Sequence, residues 1–409
     1  MNKVKIAMVG AGGFARTYLI TLWNMIDSED YELMGIIDPY VSASTVYKEI
    51  LERNIPLYNT MDEFYAEHTA DLVCIASPVQ FHKEQILNAF AHGSHVLCEK
   101  PLTVYAQDVA ELEKASQESG LMLGVGFQWS FSRRNRMLKQ HILEGRYGKV
   151  LGIKTCISWM RADQYYRSWH GHLYASDGSL LMDSVISNAM AHYLHFGLFL
   201  LGPTMDTARM PKSVKASLYR AKSIESFDTC SVQCEFEDGL THNLYLTHAA
   251  ISSRYLQIQI QFEHATASIL SDDSDGKLLV TLEDGTVLNY DELAQERNVS
   301  HEKIDDMIQA VRHPENGVVC HAGTTLPFAT VCNSLFAEVP IVDFAKEKVI
   351  HTEGEAPGEY IPDLFDQMYA CFEQNKTPYE LGYDWAVPDV HYELKTPEEY
   401  ASMLKEKFL

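Results

Sequence analysis

The segment Val4 to Val9, followed at once by Gly10-Ala11-Gly12-Gly13-Phe14-Ala15, constrains this chain more than any other. The first six residues are short and mostly apolar, as in a buried strand, and the residues after Phe14 have helical character through about Met25. Gly10, Gly12 and Ala15 therefore fill a G-x-G-x-x-A pattern at a strand-to-helix turn. Glycine at the first position permits the tight turn, and at the second it lets a pyrophosphate approach the backbone. A small third residue lets helix and strand pack closely, with phosphates at the helix N-terminus. Leu33-Met34-Gly35-Ile36-Ile37 reads as the next strand and ends in Asp38, at the offset where an acidic side chain accepts hydrogen bonds from ribose hydroxyls. A carboxylate there repels a 2′-phosphate, so NAD is favoured over NADP.

Strand and helix keep alternating to about residue 128. Asp71 to Ala76 reads as a strand ending in Ser77-Pro78, His82 to His92 as a helix, and His95 to Cys98 as a strand that delivers Glu99-Lys100-Pro101. Thr103 to Glu118 reads as a helix and Leu121 to Gly126 as a strand. This alternation predicts parallel βαβ units wound on both sides of one sheet. Ligands of such sheets lie beyond the carboxyl ends of the strands, where Gly10, Asp38, Ser77 and Lys100 fall.

From about residue 148 the pattern changes. Val150 to Thr155, Ser213 to Tyr219, Thr229 to Phe236, Thr241 to Thr247, Leu256 to Phe262 and Lys277 to Leu282 read as strands, with Asp238-Gly239 and Asp284-Gly285 as hairpin turns. The expectation is a mostly antiparallel sheet with one polar or interface face, on which helices near 298 to 312 and 324 to 339 pack. Asp363 to Asn375 reads as a further helix.

At 409 residues the chain is long enough for two domains. Its net charge of −23 opposes encounters with nucleic acid and with anionic membranes, and disfavours a highly anionic substrate. The apolar stretch Ser179 to Gly202 contains Asp183, Asn188, His192 and His195, which excludes a simple membrane helix. With no convincing targeting segment, a cytoplasmic location is expected. The eight cysteines form no close-spaced framework, and no metal site is expected: His170, His172, His242 and His248 read as surface or strand residues.

The glycine run, Ala76-Ser77-Pro78 with His82, the string Gly93 to Leu102 around Glu99-Lys100-Pro101, and Val125-Gly126-Phe127 resemble, in matching order, the glucose-fructose oxidoreductase / inositol dehydrogenase (Gfo/Idh/MocA) family. The resemblance covers most of the chain. It implies an α/β architecture, a Rossmann doubly wound parallel sheet over 1–128, then an α+β domain with a large, mostly antiparallel open sheet over 129–409. That second domain would serve substrate binding and oligomerisation, and the tail from about 345 is a candidate to pack back on the first. It also implies a cis Lys100-Pro101 bond that aims Lys100 into a cleft. The implied cofactor site comprises Gly10, Gly12, Gly13, Phe14, Ala15, Asp38, Ser77, Pro78, His82, Glu99, Lys100 and Gln128. A small sugar, sugar derivative or glycoside substrate and a homo-oligomer, dimer or tetramer, are implied as well.

The second catalytic element departs from the family's commonest pattern, Asp-x-Gly-x-His-x-x-Asp. After Asp183, Ser187 stands where the histidine would be. Asp183 to His192 resembles a variant branch, Asp-Ser-x-x-x-Asn-Ala-x-Ala-His, and so does Tyr166-Arg167-Ser168-Trp169-His170-Gly171. Asn188 and His192 are four apart and on a helix share one face. Oxidising a secondary alcohol needs a base, for which an imidazole is suited, and His192 is the candidate. Lys100 is the candidate donor to the developing alkoxide. Asp183 would orient either group, Trp169 would stack on a sugar ring, and Tyr166, Arg167 and Asn188 would line the substrate site. Whether Ser187 or His192 replaces the usual histidine stays open at this point.

The leading expectation is an NAD-dependent oxidoreductase acting on CH–OH of a sugar or polyol. A redox-neutral alternative has retained NAD oxidise a ring carbon transiently while a glycosidic leaving group is eliminated. A third reading, a non-catalytic NAD-binding regulator, is opposed by the presence of Lys100 and His192.

Overall fold

The computed structural model describes residues 2–270 and 276–409. Val4–Val9 (β1) leads through the glycine turn into Ala15–Met25 (α1), then Tyr31–Ile37 (β2) and Leu57–Tyr58 (β3). Leu72–Ile75 (β4), His82–Ala91 (α2), His95–Cys98 (β5), Ala106–Ser119 (α3) and Leu123–Val125 (β6) complete the alternation. The strands form one parallel sheet in the order β3-β2-β1-β4-β5-β6, the Rossmann order. Its strands are near-continuous apolar runs because helices cover both faces.

The chain divides into two compact units, and the first contains Met1–Asn135, Met205–Thr207 and Arg297–Leu326. The helix Val299–Arg312 therefore belongs with the parallel sheet, not with the antiparallel one as the sequence suggested. Its Ile304, Met307 and Ile308 join the core built from Val4, Ile6, Met8 and Leu97. The helix comes close to β6 at Gly124, where a Cβ would lie 2.5 Å from the Met307 sulfur. Hydrophobic periodicity gives the buried face of such a helix but not the sheet it will meet.

The second unit holds Val150–Ser158 (β7), Ala191–Leu200 (α4), Ser213–Arg220 (β8), Thr229–Glu235 (β9), Thr241–Thr247 (β10), Arg254–Phe262 (β11), Ala265–Leu270 (β12), Lys277–Leu282 (β13) and Val287–Asn289 (β14). These pair in the order β14-β13-β12-β11-β7-β10-β9-β8 in a ten-stranded sheet, antiparallel except for β10 with β7 and Ile341–Asp343 with β8. The strand β12 escaped the sequence reading. Both Asp-Gly pairs turn hairpins, β9 to β10 and β13 to β14.

The sheet centre has no polar face. Along β10 alternate side chains point to opposite sides: His242 lies against Gly197 of α4, while Tyr245 joins Leu364, Met368 and Phe372 of the helix Leu364–Gln374. Exposed apolar side chains occur instead toward the β11 to β14 end, at Leu270 and Val287. The tail also lies with this unit rather than the first, Val390–Glu393 pairing antiparallel with β8.

Candidate functional site

In the first unit the hydrogen-bond ladder runs past the strand ends. Gly10 N–H donates to Ile37 O at 2.9 Å, Ala76 N–H to Val9 O at 2.9 Å, Glu99 N–H to Ile75 O at 2.8 Å and Gly126 N–H to Cys98 O at 2.7 Å. The loops carrying Gly10, Asp38, Ser77, Lys100 and Gln128 are thereby levelled along one edge of the sheet.

The glycines are not equivalent. Gly10 has φ +98°, and a Cβ on it would lie 3.0 Å from Ala76 O and 3.4 Å from the Ala15 Cβ, so the fold itself requires glycine there. A Cβ on Gly12 or Gly13 meets nothing within 4 Å. Space above these two is open. The helix α1 that follows has no side-chain cap and no acid in its first turn, leaving its N-terminal N–H groups for an anion. Asp38, half-buried, accepts the Ala11 N–H through Oδ2 at 2.8 Å and the Tyr40 N–H through Oδ1 at 2.8 Å. It is both a turn former and a brace for the glycine loop, and each carboxylate oxygen keeps a lone pair for a diol. An open Gly12, an uncapped helix and an acid at the end of β2 fit a dinucleotide.

The other expected cofactor residues divide by burial. Phe14, 45% exposed, and Pro78 are at the surface. Ser77, Lys100 and Gln128 are half-buried, and Ser77 Oγ donates to Gln85 Oε1 at 2.5 Å. His82 is 1% exposed and faces three carbonyls, Ser77 O at 2.8 Å from Nε2, and Leu102 O at 3.1 Å and Pro101 O at 3.2 Å from Nδ1. It ties the loop after β4 to the loop after β5, and burial pushes its imidazole below the ordinary range. The Lys100-Pro101 bond is cis.

Glu99 is buried at 6% exposure and is held by protein groups. It accepts from Tyr18 Oη at 2.7 Å and from the Lys100 N–H at 3.2 Å, and pairs with Lys303 of the helix Val299–Arg312. Lys303 and Tyr18 were not singled out in the sequence. The signal for Lys303 was a lysine inside an apolar stripe, with Ile304, Met307 and Ile308 also buried.

In the second unit Asp183 is 6% exposed, and its Oδ2 accepts the Gly171 N–H at 2.5 Å. Tyr165, Tyr166, Asp183, Ser184 and His248 line one pocket. The Tyr166 hydroxyl is buried with no hydrogen-bond partner among the described residues, and burial, then Asp228, raises its pKa. Trp169, 46% exposed, stacks on His170 at 4.2 Å, and His170 stacks on Tyr165 at 4.0 Å. Arg167 is exposed, and Asn188 and His192 are half-buried and are not among the pocket walls. Tyr165 and His248 were not anticipated; nothing local marks them.

The helix on which Asn188 and His192 were expected to share one face is two elements. Val185–Ala189 forms a π-helical turn, closed by Met190 N–H to Val185 O at 3.0 Å, and α4 begins only at Ala191. Asn188 and His192 thus do not share a face of one regular α-helix. Ser184 caps the turn, in a capping box with Ser187. Ser187 Oγ donates to Met182 O at 3.0 Å and accepts the Ser184 N–H at 2.9 Å. Its hydroxyl is committed to the backbone, which leaves His192 as the candidate base. Met182, just before Asp183, has φ +49°, a conformation that costs a non-glycine residue about 1 kcal/mol or more.

Residues 4–127 match the model described as "Oxidoreductase family, NAD-binding Rossmann fold". Residues 135–268 match the C-terminal domain model of the same family. The chain belongs to the Gfo/Idh/MocA oxidoreductase family. A 2,7-anhydro-N-acetylneuraminate hydratase of Mediterraneibacter gnavus is 29% identical over 181 residues, covering 42% of this chain and 46% of that protein. The scyllo-inositol 2-dehydrogenase (NADP(+)) of Bacillus subtilis is 24% identical over 288 residues, covering 70% and 82%. The match to the hydratase thus spans about half of that relative's length. Among solved structures, the WlbA dehydrogenase from Bordetella pertussis in complex with NADH and UDP-GlcNAcA has a TM-score of 0.67 at 19% identity, covering 82% of this chain and 95% of that one. The aldose-aldose oxidoreductase from Caulobacter crescentus has a TM-score of 0.67 at 17% identity, covering 82% and 96%. The first unit is an NAD-binding Rossmann domain. Among the described residues no helix is long and apolar enough to cross a membrane, and no group of three or more His, Cys, Asp or Glu could hold a metal ion.

Proposed function

We propose that this chain moves a hydride between NAD and a secondary hydroxyl of a sugar, sugar derivative or glycoside. The observation that carries the proposal is the pairing, on one sheet edge, of an open Gly12 and uncapped α1 with Lys100 at the end of β5. When bound, the nicotinamide supplies the hydride acceptor. Lys100 donates to the substrate oxygen and stabilises its developing charge. His192 takes the hydroxyl proton, and Asp183, whose Oδ2 holds the Gly171 N–H, positions the loop that carries Trp169. Trp169 offers an exposed aromatic face for a sugar ring. The family's relatives named for an inositol and for an anhydro sugar support a polyol substrate.

Asp38 supports NAD over NADP, since a 2′-phosphate would meet a carboxylate already braced in place by two N–H groups. Calorimetric titration with both cofactors tests this half, with tighter NAD as the expected result. Oxidation of a sugar and polyol panel tests the other half. The likeness to a hydratase favours a second reading, the redox-neutral one: NAD is retained and no net NADH accumulates while a leaving group departs. Release of NADH at the rate of substrate loss rejects it.

A further inference from the structure

His248 is the first residue after β10 and part of the wall of the second unit's pocket, yet the proposed hydride transfer gives it no role. It is 2% exposed and fixed on three sides. Its N–H donates to Asp228 O at 2.8 Å, its carbonyl accepts the Arg161 N–H at 3.3 Å, and its ring Nδ1 lies 2.8 Å from Trp159 O. A carbonyl oxygen can only accept, so Nδ1 carries the ring proton and Nε2 keeps a lone pair. Among the described residues nothing donates to that lone pair. Tyr166, in the wall of the same pocket, has a buried hydroxyl that is likewise unpartnered among the described residues.

An unmatched acceptor and an unmatched donor on one pocket restrict what can satisfy both. A carboxylate, phosphate or carbonyl oxygen would suit the Tyr166 hydroxyl but set a lone pair against Nε2, and the Asp183 carboxylate in the same wall opposes an anion further. An ammonium would suit Nε2 and leave Tyr166 unmatched. A hydroxyl group both donates and accepts, so it answers the two together. Burial, then the Arg161 charge, holds the His248 imidazole down to about 3, which makes it a neutral acceptor at pH 7 and a poor base for an alcohol proton. We propose that the pocket of Tyr166, Asp183 and His248 is a hydroxyl subsite: His248 Nε2 accepts from one substrate hydroxyl, Tyr166 donates to it, and an acidic or phosphorylated group is refused at that position. That the hydroxyl belongs to a sugar rests on the proposed function, whereas the preference of the pocket for a hydroxyl does not.

The test is nitrogen-15 magnetic resonance on the full chain labelled at histidine, at pH 7, with ethylene glycol as the hydroxyl probe and sodium formate as the carboxylate probe at matched ionic strength. His248→Phe assigns the His248 signals, and His248→Gln assigns them should the first variant fail to fold. Nε2 is expected to be the unprotonated ring nitrogen, and its resonance should move saturably toward the hydrogen-bonded side with glycol and stay in place with formate. A protonated Nε2, a shift with formate, or no shift with glycol, as when a resident water keeps the place, each overturns the proposal. On the best sugar of the panel, H248F should raise KM by about tenfold or more with kcat within about threefold of the parent, while H248Q, which keeps an acceptor, should hold KM within about threefold. An unchanged KM in H248F overturns the proposal as well. Failure of the chain to oxidise any sugar would instead reject the proposed function and leave the glycol titration readable.

Discussion

Asp38 Oδ2 accepts the Ala11 N–H at 2.8 Å, so the acid that closes β2 also holds the glycine loop that opens after β1. Under the proposed function the same side chain sets cofactor choice, so that choice and loop order would be coupled. Asp38→Asn removes the charge and keeps one oxygen acceptor. The expected result is a shift of the NAD to NADP affinity ratio toward NADP by about tenfold, about 1.4 kcal/mol. Calorimetry on parent and variant measures it, and an unshifted ratio contradicts the assignment.

Alanine separates the two glycine roles. At Gly10 the positive φ and the 3.0 Å approach to Ala76 O predict a loss of about 1 to 3 kcal/mol in urea unfolding. At Gly12 a methyl group meets no protein atom within 4 Å. Gly12→Ala should unfold like the parent and bind NAD at least about tenfold more weakly, since the methyl fills space meant for phosphate.

Lys100→Ala and His192→Gln should each lower kcat by about a hundredfold to ten-thousandfold, with a thermal midpoint within a few degrees of the parent. Initial rates with the best sugar from the panel check this. Ser187→Ala should instead cost stability, about 1 kcal/mol, because its hydroxyl serves a capping box.

Acid sensitivity follows from three buried histidines. Burial holds His195, His242 and His248 down to about 3 in the folded chain, from an ordinary value near 6.5. The unfolded chain therefore binds more protons between these values, and stability present above 6.5 is lost as pH falls toward 3. Each group contributes a slope of up to about 1.4 kcal/mol per pH unit. His242 has neither ring nitrogen hydrogen-bonded among the described residues. Urea unfolding at pH 7, 6, 5 and 4 should show a steep fall, from which His242→Phe removes one group's share of up to about 1.4 kcal/mol per pH unit. A flat profile contradicts these burials.

The parts of the site legible in the sequence are those whose cause is local. Gly10 to Ala15, Asp38 and Glu99-Lys100-Pro101 sit at strand ends fixed by short apolar runs, and the sheet order brings them level. Lys303 was not legible, because its reason lies at Glu99, and a helix pattern names a buried face without naming its partner. The segment from Asp183 to His192 has helical composition, yet its Ser184 and Ser187 hydroxyls close a π-helical turn that a period of 3.6 cannot register. The cover on both sides of β10 was equally hidden: the alternation was visible, but the helices meeting it come from residues 191 to 200 and 364 to 374.

The proposed function stands on one step, the passage of a hydride from a sugar carbon to NAD. Incubating the purified protein with NAD and a panel of sugars, anhydro sugars and inositols deuterated on their ring carbons, then weighing the cofactor by mass spectrometry, tests it most directly. Deuterium is expected in the cofactor with at least one member, released or retained, and none in Lys100→Ala. A chain that binds NAD yet takes deuterium from no member of the panel would contradict it.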